Sequence, residues 1–221
     1  MADPLDVFDT YRYIAVEGPI GVGKTSLARA LAGRLGARLV LEPSDENPFL
    51  ELFYADMARH ALATQLAFLV ARNRQQEELR QQDLFAPLAV SDYVFARDSI
   101  FAGLTLADDE LRLYQQIYDG LAARAARPDL VVLLLADIDT LMARIERRGL
   151  PYEAGIDRRY VERLTAAYGE HFRLYDETPL LVVDTSGLDY AVDGLDLEAL
   201  LDEMARTRSG QRIYVPEGRR L

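Results

Sequence analysis

Residues 18–25 read Gly18-Pro19-Ile20-Gly21-Val22-Gly23-Lys24-Thr25, and this stretch decides the fold. Its spacing is Gly-x-x-x-x-Gly-Lys-Thr, and the apolar run Tyr11–Glu17 leads directly into it. In this pattern the glycines let backbone N–H groups surround a phosphate, the lysine reaches the outer phosphates and the threonine hydroxyl can bind magnesium. The stretch therefore predicts a strand, a phosphate-binding loop and a helix, in that order, with a nucleoside triphosphate as the ligand.

The residues expected to hold the triphosphate belong to this loop and to the first turn of its helix: Gly18, Gly21, Val22, Gly23, Lys24, Thr25 and Ser26. Lys24 is also expected to act in catalysis, because its ammonium group can stabilise charge on the β and γ oxygens. It is the only lysine of the chain, so the Asn-Lys-x-Asp motif of GTPases is absent. A chain of 221 residues is small for a motor or transporter ATPase, and a kinase is favoured. A Gly-rich turn before an ordinary helix is the alternative.

Short apolar runs alternate with longer helical patterns along the chain. The predicted strands are Tyr11–Glu17, Ala37–Leu41, Ala89–Asp92, Leu130–Ala136 and Leu180–Asp184. The predicted helices are Thr25–Leu35, two or more turns within Pro48–Gln82, Asp108–Arg127, Thr140–Arg148, Arg158–Glu177 and Leu197–Thr207. This order predicts an α/β protein with five parallel strands flanked by helices, and with ligands at the carboxyl ends of the strands. One domain over residues 1–221 is expected, with tails at 1–10 and 209–221, although Gln211–Pro216 could add an extended segment.

The composition narrows the classes of function. Hydrophobic residues make up 50% of the chain, the formal net charge is −11 and there is no cysteine. An acidic chain is a poor general binder of nucleic acid, since neutralising backbone phosphates takes an excess of Lys and Arg. No apolar run approaches the roughly 18 residues of a membrane-spanning helix, so no membrane partner is expected. Without cysteine there is no disulfide framework, and the cytoplasm is the expected compartment.

Two carboxylates follow predicted strands and are expected near the phosphate loop. Glu42 follows the second strand in Leu41-Glu42-Pro43, where a carboxylate could take the proton of an attacking hydroxyl group. Asp92 follows the third strand in Ser91-Asp92-Tyr93 and, together with Thr25, is a candidate magnesium ligand. The alternative for Glu42 is a solvated side chain before a proline that starts a loop.

Several motifs together resemble the deoxynucleoside kinase family: Gly18–Ser26, Glu42-Pro43, Asn47-Pro48-Phe49-Leu50, Phe53-Tyr54-x-Asp56, Gln65, Arg72 and Ile100-Phe101-Ala102. The similarity covers most of Tyr11–Asp184, and it is greatest to the bacterial deoxyadenosine, deoxyguanosine and deoxycytidine kinases. The resemblance implies a P-loop kinase fold with an arginine-rich lid, ATP as the phosphoryl donor, Mg²⁺ as a cofactor and a deoxynucleoside as the acceptor. It also implies a homodimer.

The same resemblance implies roles for the residues of the acceptor site. Glu42 corresponds to the general base for the 5′-hydroxyl of the deoxyribose, and Gln65 to the side chain that reads the base through its amide. Tyr54 and Glu153 correspond to the pair that contacts the 3′-hydroxyl. Arg72 corresponds to an arginine below the base.

The residues themselves give partial support to this acceptor site. Gln65 and Arg72 are seven residues apart, so on one helix they share a face, and a surface-facing pair is the alternative. Phe101 could form a stacking wall for a base or belong to the core. Asp98 lies where the family places an acid near the base, and its alternative is the N-cap of a helix.

Three arginines precede a Gly-Pro break in Arg144-Ile145-Glu146-Arg147-Arg148-Gly149-Leu150-Pro151, a composition typical of a closing lid. Guanidinium groups stabilise the charge that develops in phosphoryl transfer. By resemblance, Arg144 and Arg148 match the lid of the family, and Arg147 substitutes for a further lid arginine because Leu150 stands in its place. Arginines that only complement the dipole at the end of a helix are the alternative.

One departure from the family concerns Tyr93, because related kinases usually have arginine after the acid that ends the third strand. Tyr93 cannot supply that charge, and Arg97 or Arg72 could compensate.

We therefore expect an ATP-dependent kinase that phosphorylates the 5′-hydroxyl of deoxyadenosine, deoxyguanosine or deoxycytidine in nucleotide salvage. A nucleoside monophosphate kinase of the thymidylate kinase type shares this architecture and is the first alternative. A non-catalytic sensor that binds ATP without turnover is the second, motivated by the missing arginine after Asp92.

Overall fold

The computed structural model describes residues 8, 10–81, 88–186, 188 and 196–216. Within them six strands form one sheet: β1 (Tyr13–Glu17), β2 (Arg38–Val40), β3 (Ala89–Ser91), β4 (Leu130–Leu135), β5 (Leu180–Asp184) and β6 (Gln211–Tyr214). The helices are α1 (Lys24–Leu35), α2 (Leu50–Ala55), α3 (Met57–Leu79), α4 (Arg97–Thr105), α5 (Asp108–Ala122), α6 (Ile138–Arg148), α7 (Arg158–Arg173) and α8 (Leu197–Arg206). Two 3₁₀ turns, Ser44–Glu46 and Pro151–Glu153, precede α2 and α7.

The strand order is β2-β3-β1-β4-β5-β6, and every neighbouring pair is parallel. All five residues of β1 are buried, as expected for a strand with helices on both faces. Since β1 pairs with β3 on one side and β4 on the other, the chain leaves β1 where the strand order reverses. Ligands of open parallel sheets bind at this point, so the phosphate loop lies at the centre of the carboxyl edge.

The predicted α/β class and the parallel sheet are confirmed, but the prediction of five strands is wrong. β6 pairs with β5 and lies within the stretch 209–221, so the expected tail is wrong here and the alternative of an extended segment at Gln211–Pro216 is confirmed. Three of its four residues are exposed, so this edge strand lacks the buried apolar face that sequence patterns reveal. Residues 1–7, 9 and 217–221 of the expected tails lie outside the described residues.

The helices follow the predicted pattern, but α5 and α7 end earlier than predicted, at Ala122 and Arg173, and one helix was not predicted. The stretch Pro48–Gln82 contains α2 and α3, which are separated by Asp56, and the Asp56 carboxylate caps α3 by accepting the N–H of Arg59. Helix α4 was not among the predicted helices, and its first residues carry side chains of the site described below. In the part of the chain that the structure describes, no helix combines the length and apolar character needed to cross a bilayer.

Gly18 and Gly23 give the phosphate loop its shape. Gly18 has a φ of 146°, and a Cβ placed on it would lie 2.3 Å from the carbonyl oxygen of Leu134. Gly23 has a φ of 104° and is the N-cap of α1. Any side chain at position 18 would therefore push the loop away from the end of β4.

We expect Gly18→Ala to lower the free energy of unfolding by about 1–3 kcal/mol, because it combines a clash with backbone strain. Gly33→Ala is the matched control, since Gly33 is an exposed helical glycine with no atom near its missing Cβ. That control should gain about 0.5–1 kcal/mol from helix propensity. Urea denaturation measures both values, and an unchanged stability for Gly18→Ala would contradict the packing described here.

Candidate active site

One cavity of about 320 Å³ lies at the carboxyl edge of the sheet. Most of the predicted side chains line it: Lys24, Thr25, Glu42, Tyr54, Gln65, Arg72, Asp92, Phe101, Arg148 and Glu153. Asp98, Arg144, Arg147 and five residues of the predicted phosphate site (Gly18, Gly21, Val22, Gly23 and Ser26) are not part of its wall. The structure thus brings Lys24 and Thr25 of the predicted donor site and most predicted acceptor residues into one continuous space.

Lys24 crosses the phosphate loop from the start of α1. Its ammonium group donates to the carbonyl oxygens of Gly18 (2.9 Å) and Pro19 (3.0 Å). Burial and then the charge of Arg97 lower the pKa of Lys24 to about 7, while nearby carboxylates oppose this shift. A phosphate held by the loop would restore the preference for the charged form, because it adds negative charge beside the ammonium group.

Asp92 joins the donor loop to the acceptor side of the cavity. One of its carboxylate oxygens accepts the hydroxyl of Thr25 at 2.6 Å, and the other accepts the backbone N–H of Glu42 at 2.7 Å. A hydroxyl and a carboxylate are oxygen donors of the kind that Mg²⁺ prefers, so this pair fits the ion. The described residues contain no group of three or more His, Cys, Asp or Glu arranged for a metal, so other ligands would come from phosphate and water.

Glu42 is held between two arginines. Its Oε1 accepts a hydrogen bond from Arg72 Nη2 and lies 3.4 Å from Arg97 Nε. Burial alone would raise the pKa of Glu42, but Arg97 and then Arg72 outweigh it and lower the pKa to about 2. The side chain is 14% exposed, so the alternative of a solvated glutamate before a proline does not apply. Glu42 is an ionised carboxylate directed into the cavity.

Arg72 connects Glu42 to a second carboxylate, Asp98. Its Nη1 donates to Asp98, and its guanidinium lies 4.7 Å from the ring centre of Phe68 and 5.7 Å from that of Tyr93. Burial raises the pKa of Asp98 to about 6, although Arg72 opposes the shift. Asp98 is not the N-cap of α4, as the alternative proposed, because its side chain turns inward to Arg72.

The inward face of α3 carries the residues expected to read a base. Gln65 and Arg72 are each 2% exposed, so their shared face is confirmed and the alternative of a surface pair is wrong. Phe101 lines the cavity while also packing against the core, and its ring meets that of Tyr168 edge-on. A planar ligand between these side chains would contact aromatic faces and one amide.

The lid side of the cavity is organised by Glu153. Arg148 donates to both carboxylate oxygens of Glu153, at 2.6 to 3.0 Å. The ring of Tyr54 stacks on Tyr152 with 5.6 Å between centres. Burial raises the pKa of Tyr54 well above its ordinary value, and Tyr160 and Glu153 add to this shift. Tyr54 and Glu153 therefore line the same cavity, and Arg148 is bound to Glu153.

Arg144 occupies a different place from Arg148. Its guanidinium donates to the carbonyl of Val22 in the phosphate loop (3.1 Å), to both oxygens of Thr185 and to the carbonyl of Leu188. It therefore ties the phosphate loop to the chain that follows β5. Arg147 is exposed on the last turn of α6.

The sequence analysis missed two residues of the site. It did not name Glu17, and it named Arg97 only as one of two arginines that could replace the family arginine after Asp92. The buried Glu17 carboxylate accepts from the N–H of Gly18 (2.9 Å), the N–H of Val94 (2.7 Å), Arg97 Nη1 (3.3 Å) and the Tyr168 hydroxyl (2.9 Å). The available signal was an acid that ends an apolar strand immediately before the phosphate loop. Such a buried charge needs partners.

Comparison with known proteins identifies the family. A family profile described as deoxynucleoside kinase matches residues 14–207. The chain belongs to the deoxynucleoside kinase family. The chain is 32% identical to a deoxyguanosine kinase of Bacillus subtilis (strain 168), over 87% of this chain and 95% of that protein. It is 28% identical to a deoxyadenosine/deoxycytidine kinase of the same strain, over 87% and 91%.

The fold is that of solved deoxynucleoside kinases. A structure of deoxyadenosine kinase from M. mycoides with bound dATP matches with a TM-score of 0.73 and 24% identity, covering 88% of this chain and 97% of that one. As a member of the family, the chain is an ATP-dependent kinase that phosphorylates deoxynucleosides. The cavity described above lies at the carboxyl edge of the sheet, where open parallel sheets bind their ligands.

Removing Arg72 should strongly destabilise the fold, because it leaves Asp98 buried without its cation. We expect Arg72→Met to lower the free energy of unfolding by about 3–5 kcal/mol. The double variant Arg72→Met/Asp98→Asn should recover part of this loss, since the unpaired charge is gone. Arg112→Met, which breaks an exposed pair with Asp109, is the control and should cost at most about 1 kcal/mol. Urea denaturation of the four proteins measures these values, and a double variant no more stable than Arg72→Met would contradict the pairing of Arg72 with Asp98.

Proposed function

We propose that this kinase transfers the γ-phosphoryl group of ATP to the 5′-hydroxyl of deoxyguanosine, deoxyadenosine or deoxycytidine, with Glu42 as the base. The observation that carries the proposal is the Asp92 carboxylate, which joins the Thr25 hydroxyl to the backbone of Glu42. This contact holds the predicted base beside the phosphate loop, where an acceptor hydroxyl would meet the end of the triphosphate.

The proposed reaction requires little covalent chemistry from the protein. The O–H bond of the 5′-hydroxyl breaks, its proton passes to Glu42, and the oxygen forms a bond to the γ-phosphorus. The bond between the γ-phosphorus and the bridging oxygen breaks, and ADP leaves. Lys24 and the N–H groups at the start of α1 stabilise the phosphate oxygens.

Mg²⁺ is part of the proposal. Thr25 and Asp92 would hold it, directly or through water, because they are the adjacent oxygen donors beside the phosphate loop. When bound, the ion neutralises charge on the phosphate oxygens.

The proposed acceptor pocket reads the nucleobase with Gln65 and Arg72, while Asp98 holds Arg72 from behind the cavity wall and Phe101 contacts the face of the nucleobase. The Gln65 amide offers two donors and one acceptor and is held on a buried helix face, so paired hydrogen bonds to a base are geometrically available. Deoxyguanosine ranks first, since two deoxyguanosine kinases, of Bacillus subtilis and Lactobacillus acidophilus, are 32% and 31% identical to this chain.

Tyr54 and Glu153 would contact the 3′-hydroxyl of the acceptor. Because Arg148 is bound to Glu153, acceptor binding would also change the contacts of this lid arginine. Arg148 is bound to Glu153 on both carboxylate oxygens. A hydroxyl that takes over part of this carboxylate would release hydrogen-bonding capacity of Arg148 for the donor phosphates. Arg147 would reach the phosphates from the same lid, and Arg144 would fix the loop that holds them.

The test is a panel of reactions with the purified full chain. Magnesium-ATP is incubated with deoxyguanosine, deoxyadenosine, deoxycytidine or thymidine, and in parallel with the four monophosphates, and products are identified by mass. We expect 5′-monophosphates, with deoxyguanosine giving the highest kcat/KM. Product from monophosphates alone would favour the thymidylate kinase type, to which a probable thymidylate kinase of Methanococcus maripaludis, 28% identical, belongs by name. No product at all would favour an ATP sensor.

The matched variants for this panel are Glu42→Gln and Glu170→Gln. Loss of the base should lower kcat by about 10²–10⁴-fold while ATP binding, measured by calorimetry, stays close to that of the wild type. Glu170 is an exposed glutamate on α7, so its variant should behave as the wild type. Equal rates for the two variants would contradict the role of Glu42.

The proposal includes the cytoplasm as the compartment and a homodimer as the assembly. A groove along the outer face of α3 supports the dimer. Most of its lining is apolar, with Glu46 and Arg74 as its charged residues: Glu46, Phe49, Ala63, Leu66, Ala67, Val70, Ala71 and Arg74. Val70 is 53% exposed, and the adjacent helix α5 exposes Leu113 and Ile117 one turn apart. Exposed apolar faces on neighbouring helices are typical of an interface, and a second copy offers the same faces.

We expect Val70→Glu to convert the dimer to a monomer, because it would bury a charge in the contact. Leu174→Glu is the control, since Leu174 is 69% exposed and lies beyond the end of α7. Light scattering coupled to size-exclusion chromatography gives the mass of each variant. A monomeric wild type, or a dimeric Val70→Glu variant, would contradict this interface.

A further inference from the structure

Arg97 is a buried cation in the cavity wall that contacts both Glu17 and Glu42. It is 6% exposed, it lines the cavity wall, and its Nε lies 3.4 Å from Glu42 Oε1. That Nε makes no hydrogen bond, so the contact with Glu42 is an ion pair without a directed N–H. The guanidinium also lies 5.0 Å from the centre of the Phe101 ring. Such a buried N–H in the cavity wall is available to an oxygen atom of a bound ligand; Arg72 has an unpartnered Nε as well, but both of its terminal nitrogens are already bound by carboxylates.

The position of Arg97 differs from that of Arg72, although both contact Glu42. The two terminal nitrogens of Arg72 are bound by Asp98 and Glu42, and its guanidinium packs on Phe68. Arg72 thus lies on the side of the cavity proposed to hold the nucleobase. Arg97 Nη1 and the N–H of Gly18, the first residue of the phosphate loop, donate to the same oxygen of Glu17. Of these two arginines, Arg97 is therefore the one that contacts Glu42 and is also linked to the phosphate loop.

Tyr93 explains why this cation comes from α4. The Tyr93 ring is fully buried, and its hydroxyl donates to Gln75 (2.8 Å) and accepts from Gln76 (3.3 Å), both on α3. The residue after Asp92 is thus directed away from the phosphate loop. Arg97, at the first position of α4, places its guanidinium beside the Glu42 carboxylate.

Glu17 fixes where Arg97 stands. Its carboxylate binds Arg97 Nη1 and, at the same time, the N–H of Gly18, the first residue of the phosphate loop. The hydroxyl of Tyr168 on α7 donates to the same carboxylate. Because these contacts share one buried group, movement of the phosphate loop and movement of Arg97 are coupled.

We propose that Arg97 is a catalytic residue that contacts the γ-phosphoryl group during transfer while it stays beside Glu42, and that Glu17 is the positioning residue that holds it. This inference rests on the proposed function. In the step itself the 5′-oxygen binds the γ-phosphorus, its proton passes to Glu42, and the bond to ADP breaks. Arg97 forms no covalent bond and stabilises the charge spread over the oxygens of the phosphoryl group.

The experiment compares the full-chain wild type with Arg97→Met, Arg97→Lys and Glu17→Gln, and with Arg163→Met as the control on an exposed arginine of α7. We expect Arg97→Met to lower kcat by about 10³-fold or more, with KM for ATP and for the deoxynucleoside within about tenfold of the wild type. Arg97→Lys should keep more activity than Arg97→Met, and Glu17→Gln should lower kcat without a matching change in KM. Arg163→Met should match the wild type.

A binding measurement separates catalysis from structure. Calorimetry is run with magnesium-ADP alone and with magnesium-ADP, aluminium fluoride and deoxynucleoside, which together mimic the phosphoryl group in transfer. Arg97→Met should bind magnesium-ADP within about threefold of the wild type and lose at least about 100-fold in affinity for the mimic. Equal losses for both ligands, or a kcat like that of Arg163→Met, would overturn the proposal.

Two further outcomes are covered by the same set of proteins. If Arg97→Met fails to fold, the proposal is tested by Arg97→Lys and Glu17→Gln, because each keeps one residue of the Arg97–Glu17 pair unchanged. A wild-type kcat in both variants would overturn the proposal. A wild type that phosphorylates no deoxynucleoside contradicts the proposed function, whereas an active wild type with an equally active Arg97→Met contradicts this inference alone.

Discussion

The pairing of buried carboxylates at the carboxyl edge of the sheet is the constraint on which this structure depends. Glu17, Asp92 and Asp98 are at most 5% exposed, and the side chain of Glu42 is 14% exposed. A carboxylate buried without a partner costs several kcal/mol, so each must meet a cation, a hydroxyl or backbone N–H groups. Their partners come from α1, α3, α4 and α7. The need to pair these carboxylates therefore determines the positions of the four helices relative to the sheet.

The contacts that pair the buried carboxylates also position the groups proposed to act in phosphoryl transfer. Asp92 holds Thr25 and the backbone of Glu42 together, so the Thr25 hydroxyl and the proposed base keep a fixed separation. Glu17 does the same for the phosphate loop and Arg97. A site whose dipoles and charges are already oriented needs little rearrangement when charge develops, which is the main source of catalysis in phosphoryl transfer.

Much of the site could be predicted because its signals are local. Lys24 and Thr25 follow from the spacing of the phosphate loop, and Gln65 and Arg72 follow from the helical period that puts them on one face. The functional meaning of Arg97 and Glu17 was not accessible in this way. They are separated by 80 residues, and their contact exists only because β1 pairs with β3 and places α4 next to the phosphate loop. Asp98 shows the same limit, since local sequence suggested a helix cap.

The sequence by itself determined the phosphate loop, the α/β class and most helices, because these depend on spacing and periodicity over a few residues. The tertiary structure decided the rest: which arginine stands beside Glu42, where Tyr93 points, and that Gln211–Tyr214 adds a sixth strand. Each of these depends on partners distant along the chain. A charge or a hydrogen-bonding edge carries no mark of its partner in the local sequence, and only folding brings the two together.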